Sequence, residues 1–207
     1  MLLIGILLMA SIGLVTVESI GYRRGGFDSE FWKKPLDDKL DHVAEHTRDW
    51  WLVSITELVG IFLMTGGLAG LTYLLATEGE GALAFAGFGG YLVALIAWVF
   101  ALIAQTTTFS RAATNRAKTG ETPAWIHPFW DAGYLAEGVW IVGTNLAYAA
   151  IGVAILQSGL LPAWSGWVAI ALGVLLPIVI LITKAGFPQL GSLVPFIIGI
   201  AAIIESV

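Results

Sequence analysis

The chain contains no cysteine in 207 residues. Disulfides, thiolate metal sites and cysteine nucleophiles are therefore excluded. Charge is scarce as well. Asp, Glu, Lys and Arg make up 12% of the residues, where a soluble domain carries about 25%. Only three histidines occur, at positions 42, 46 and 127. None falls in an apolar run, so a haem held by histidines between spans has no ligands. The sequence has no G-x-S-x-G, no phosphate-cradling G-x-x-x-x-G-K-[ST] and no dinucleotide fingerprint. A formal net charge of −5 offers no basic stripe for a phosphate backbone, so nucleic acid is not an expected partner.

Apolar residues take the place of charge. They form 57% of the chain, and the mean hydropathy is +0.85. Six long apolar stretches stand out, at residues 2–22, 51–76, 82–106, 132–157, 162–183 and 189–207. A spanning helix needs about 20 mostly apolar residues, because the hydrocarbon layer is roughly 30 Å thick. The pattern predicts an all-α integral membrane protein with six transmembrane helices in one bundle, forming a single domain over 1–207. Pro195 interrupts the last stretch. The first has no basic n-region and is followed by Arg23 and Arg24. It therefore reads as a span, not a cleaved signal.

The basic residues set an expected orientation. Arg23, Arg24, Lys33, Lys34, Lys39 and Arg48 follow the first span; Arg111, Arg116 and Lys118 follow the third; Lys184 follows the fifth. The turns after the second and fourth have none. Cytoplasmic loops carry the Lys and Arg excess, so both termini should lie outside the cytoplasm of a multi-pass inner (plasma) membrane protein. Trp50, Trp51 and Trp130 at cytoplasmic span starts, and Trp164 and Trp167 at an outer one, suit the headgroup layer. Gly66, Gly70, Gly87, Gly89 and Gly90 would let helices approach closely.

Two segments align at an offset of 80 residues: Trp50 falls on Trp130, Glu57 on Glu137, and Val59, Ile61 and Ala69 on Val139, Ile141 and Ala149. Both enter from the same side, as in a parallel repeat of two helical hairpins.

Polar groups at membrane depth are costly and are candidates for function. Glu18, Glu57, Gln105, Asp131, Glu137 and Lys184 all fall toward the cytoplasmic ends of their spans. They define a candidate cytoplasm-facing polar pocket. Between the first two spans, residues 35–49 predict an interfacial amphipathic helix. Leu36, Leu40, Val43 and Thr47 form the stripe that would rest on lipid, and Asp38, His42, Glu45 and Asp49 face away.

His42-Val43-Ala44-Glu45-His46 has the form H-x-x-E-H. Histidines at i and i+4 project alike and can share a metal, while a glutamate can polarise bound water. Over these five residues the chain resembles the inverzincin metalloprotease signature. That resemblance implies a divalent metal on His42 and His46; His127, in the other large cytoplasmic connection, or Asp131 just after it would complete a three-ligand set. No other cofactor is expected. The leading expectation is a non-catalytic subunit or small binding module of a membrane complex, with the lipid bilayer and other membrane subunits as partners. The alternatives are a small proton- or cation-coupled transporter using Glu57 and Glu137, and a metal-dependent membrane enzyme built on the His42–His46 helix.

Overall fold

A computed structural model describes residues 1–183 and 192–206. Every regular element among them is helical. In chain order they are α1 (Leu2–Gly25), α2 (Ser29–Lys33), α3 (Leu36–Glu45), α4 (Thr47–Leu75), α5 (Gly81–Ile103), α6 (Phe109–Thr119), α7 (Ile126–Ser158), α8 (Ala163–Thr183) and α9 (Leu193–Ile204). π-helical segments, Ala76–Glu80 and Ala104–Thr108, join α4 to α5 and α5 to α6.

Three helical stretches are long and apolar enough to cross a membrane: Thr47–Thr119, Ile126–Ser158 and Ala163–Ile180, with mean hydropathies of 2.1, 1.9 and 2.1. The apolar segments Leu2–Leu14 and Leu193–Ile204 are shorter. The longest stretch is not one straight rod. Gly79 breaks it with φ of 98°, a conformation that side chains other than glycine rarely adopt. The chain then turns back, so that Thr65 and Tyr91, on either side of the break, share a hydroxyl–hydroxyl hydrogen bond of 2.9 Å.

The long helices close a ring in chain order. α1 packs on α4, α4 on α5, α5 on α7, α7 on α8, α8 on α9, and α9 on α1. Glycines set the spacing of these seams. A Cβ on Gly67 would lie 2.7 Å from the Leu8 side chain; one on Gly87 would lie 3.0 Å from the Ala147 carbonyl; one on Gly173 would lie 2.5 Å from the Asn145 carbonyl. Backbone therefore meets backbone or branch points directly, which maximises dispersion contact where apolar solvent supplies no hydrophobic drive. Of the glycines singled out from sequence, Gly87 fulfils that role, whereas Gly89 faces open space.

The 80-residue offset reappears in the backbone. Gly159, which ends α7 with φ of 65°, lies 80 residues after Gly79. A positive-φ turn glycine thus joins Trp50/Trp130 and Glu57/Glu137 at that offset, while the helix starts at Thr47 and Ile126 differ by 79 and those at Gly81 and Ala163 by 82.

A second, smaller core sits at one end of the ring. Phe27, Phe31, Leu40, Val43, Trp50, Phe109, Ala112, Ala113 and Ile126 bury one another there. This cap is made from α2, α3, α6 and the adjoining ends of α1, α4 and α7. Local signals explain its shape. Gly26, with φ of 69°, terminates α1 in a left-handed cap, and the Phe27 N–H donates to the Tyr22 carbonyl at 2.8 Å. Asp28 then caps α2, its Oδ1 accepting from the Glu30 and Phe31 N–H groups at 3.0 and 3.1 Å.

The helix expected over 35–49 is divided. His46 has φ of −117° and ψ of 31°, which separates α3 from α4. Thr47 Oγ1 bonds back to the Val43 and Ala44 carbonyls at 2.9 and 3.0 Å, giving the break a local alternative to helix continuation. The apolar stripe also has a different neighbour from the one expected. Leu40 and Val43 are fully buried, covered by the protein's own aromatic cluster.

Candidate functional site

The cap holds the His42–His46 segment that the sequence singled out. Its frame is aromatic. Phe27 meets Phe31, His42 and Trp50 edge-on at 5.1, 5.3 and 5.1 Å between ring centroids. Trp130 stacks on Phe109 at 4.7 Å and on Trp32 at 6.0 Å. Edge-on and offset contacts of this kind suit the ring quadrupoles.

Charge is laid over that frame. Lys39 is only 6% exposed, and its Nζ lies 4.7 Å from the Trp130 ring centre. Burial holds its ammonium below the ordinary lysine range, and the aromatic face supplies a compensating cation–π attraction. Arg116 spans from α6 to α3. Its Nε donates to Asp41 Oδ1 at 2.7 Å and its Nη2 to Asp41 Oδ2 at 3.0 Å, a two-pronged pairing. Nη1 lies 3.2 Å from Asp37 and donates to Thr122 at 2.9 Å. Thr122 in turn donates to Asp37 at 2.7 Å. The hydrogen bond from Arg116 to Asp41 raises the guanidinium pKa further above its already high value.

His42, Glu45 and His46 form the one group of metal-ligating side chains among the described residues, with one ligand atom from each lying within 4.8 Å of the others. His42 Nε2 sits 2.7 Å from the Gly25 carbonyl and His46 Nδ1 sits 3.1 Å from the His42 carbonyl. A carbonyl only accepts, so both of those ring nitrogens carry the proton. In the neutral form of each ring the lone pair then falls on Nδ1 of His42 and Nε2 of His46. Metal-ligating histidines commonly have their other ring nitrogen held by a carbonyl in this way. The rings stack with centroids 4.4 Å apart. Tetrahedral zinc would bring its nitrogens to roughly 3.3 Å of each other, so the rings must swing inward to share an ion. Gly26 leaves room for the His42 ring, since a Cβ there would stand 3.1 Å from it.

The other expected residues scatter. His127 is exposed on the first turn of α7, and Asp131 one turn later is exposed too; neither joins the His42 group. Glu137 is half-buried on α7 beside Tyr134. Glu57 is half-buried on α4. Gln105 sits on the π-helical turn after α5, against Gly133 of α7. The Glu18 side chain and Lys184 lie outside the described residues.

Sequence reasoning passed over two features. One is a set of hydroxyls inside the ring: Tyr91 bonded to Thr65, and Tyr148 donating to the Met64 sulfur at 3.3 Å. Single aromatic residues in apolar helices carry no signal that distinguishes these. The other is a groove along α6. Its signal was present in the spacing of Arg111, Asn115 and Lys118.

The fold and these sites define a class: an all-helical protein whose apolar helices suit a membrane, topped by a polar aromatic cap. No family model, curated protein or solved structure matches the chain.

Proposed function

We propose that this protein crosses the inner membrane six times, with both ends outside the cytoplasm, and works as a binding module whose cytoplasmic cap engages another membrane subunit. The observation that carries this reading is the cap's separate aromatic core. A bundle held by helix seams in lipid needs no such structure. A rigid platform of α2, α3 and α6 on the basic side of the chain is what a recognition surface requires. The alternation of Lys and Arg between connections supports the orientation.

The cysteine-free chain makes the topology directly testable. Single replacements Lys33→Cys and Lys118→Cys should resist a membrane-impermeant maleimide in intact cells, and Glu78→Cys should react. The reverse pattern would overturn the orientation. Extraction in mild detergent should give a complex heavier than the 22.0 kDa chain. Phe31→Ala, which undermines the cap, should release the chain from it. A native-membrane extract containing only the free chain would remove the subunit reading.

A second reading rests on the His42 group. With their other nitrogens held by carbonyls, His42 and His46 would bind a divalent metal with Glu45 as third ligand and an open position for water. That is the ligand count of a catalytic zinc site. Cobalt(II) added to purified protein should give a tetrahedral d–d spectrum that His46→Ala abolishes. Absence of the spectrum in the parent chain would end this reading.

A further inference from the structure

Of the three basic residues on and around α6, only Arg116 has carboxylate partners. Arg111 and Lys118 are exposed, and among the described residues neither has an acidic group within ion-pair distance. They share one side of the helix with Thr107 and Asn115, at spacings of four, four and three residues. Two adjoining pockets open on that side. One, of about 490 Å³, runs between Thr107, Arg111, Asn115 and Lys118 on one wall and Thr47 and Trp51 of α4 on the other. The second, of about 440 Å³, shares Thr107, Arg111 and Asn115 and is closed by Trp125 and Phe129. Arg111 and Asn115 thus form a ridge between two halves of one groove.

The donors available there are specific. Thr107 and Thr114 already donate to the carbonyls of Ile103 and Ser110 at 2.7 and 2.9 Å. Free N–H groups come from the Arg111 guanidinium, the Asn115 amide and the Lys118 ammonium. Two unneutralised cations flanking an amide match a phosphate oxygen cluster. The groove's surroundings argue against a purely aqueous ligand. Trp51, Trp125 and Phe129 are 39%, 44% and 46% exposed on its walls, and Trp rings favour the headgroup layer. Ile103, Leu52 and Ile55, next along α5 and α4, are 57%, 52% and 53% exposed. Apolar surface therefore continues from the cationic ridge toward the middle of the helices, where acyl chains would lie.

We propose that the α6 groove is a binding site for the phosphodiester headgroup of an anionic phospholipid. Arg111 and Lys118 clamp the phosphate, Asn115 orients it, and the Trp51 and Trp125 rings bracket the glycerol region. The assignment rests on the six-span reading, because it needs the α5–α6 junction at the cytoplasmic face of the bilayer.

Native mass spectrometry on protein released from mixed vesicles of phosphatidylglycerol and phosphatidylcholine tests it. The parent chain should retain phosphatidylglycerol preferentially. Arg111→Gln with Lys118→Gln should reduce that preference roughly 25-fold, about fivefold for each cation. Arg23→Gln with Arg24→Gln, at the end of α1, should leave it unchanged. Equal retention of both lipids by the parent, or an undiminished preference in the Arg111/Lys118 pair at unchanged melting temperature, overturns the proposal. So does displacement of the lipid by millimolar inorganic phosphate, which would assign the groove to a free anion. Maleimide labelling of the Lys33→Cys and Glu78→Cys variants in intact cells separates the two claims: correct topology without lipid preference sinks the lipid site alone.

Discussion

Where α7 crosses α8, a Cβ on Gly152 would stand 2.8 Å from the Gly166 carbonyl and one on Gly173 would stand 2.8 Å from the Ala149 nitrogen. Where α3 crosses α6, the contact is made by Leu40, Val43, Phe109 and Ala112, and is fastened at its rim by Arg116 and two aspartates. One seam is held by the absence of side chains and the other by their bulk and charge. Lipid tails are as apolar as a leucine, so helices among them gain by fitting closely. Taking a large ring out of water yields about 1.5–3 kcal/mol, which is the gain a core built from rings draws on.

That contrast can be broken from either side. The largest effect is expected in the ring of helices. Gly152→Val places three carbons where Gly166, Ala169 and Ile170 already crowd a single Cβ at 2.8–3.0 Å. The cost should exceed the roughly 3 kcal/mol usual for an overpacked site, with loss of a monodisperse peak in detergent. Gly89→Ala, at a position facing open space, should melt at or above the parent temperature. If both variants behaved alike, close approach would not be what holds these helices.

The next effect belongs to the cap. Phe31 is fully buried, and Phe31→Ala should cost about 3 kcal/mol of local stability. Hydrogen exchange should quicken across α2, α3 and α6 while α7 and α8 keep their protection. Uniform acceleration over all helices would mean that cap and ring unfold as one body.

The smallest effect tests charge within the cap. Burial depresses the Lys39 ammonium, whereas an unfolded lysine titrates near 10.4. Between those two values the unfolded chain binds more protons, so stability rises with pH through that window. At neutral pH both states are protonated and the full penalty is present. The melting temperature of the parent should therefore climb modestly from pH 8 toward 10 relative to Lys39→Met. A parallel pH course for the two chains would show that Trp130 already compensates the buried charge.

The helical pieces were legible in the sequence because their signals are local. Spans expected at 51–76 and 162–183 correspond to α4 at Thr47–Leu75 and α8 at Ala163–Thr183, since apolar runs and turn glycines depend on near neighbours alone. The His42–His46 pair was readable for the same reason: a four-residue spacing on a helix brings two rings together wherever the helix goes. His127 was not, because its distance from that pair is set by how α7 meets α3. The stripe of α3 was read correctly as apolar and assigned the wrong covering, since a sequence pattern shows that a face is buried and not what buries it.

What the amino-acid sequence determined by itself is therefore the inventory: the apolar helical runs, the basic connections and the Trp and Glu residues that recur at an offset of 80. What only the tertiary structure decided is the division of labour among like residues. Arg111, Arg116 and Lys118 are all basic residues of one short helix, yet one is tied to Asp37 and Asp41 and the other two look outward over a groove. Composition treats the three as equivalent. They differ because a helix has sides, and the crossing with α3 settles which side is covered.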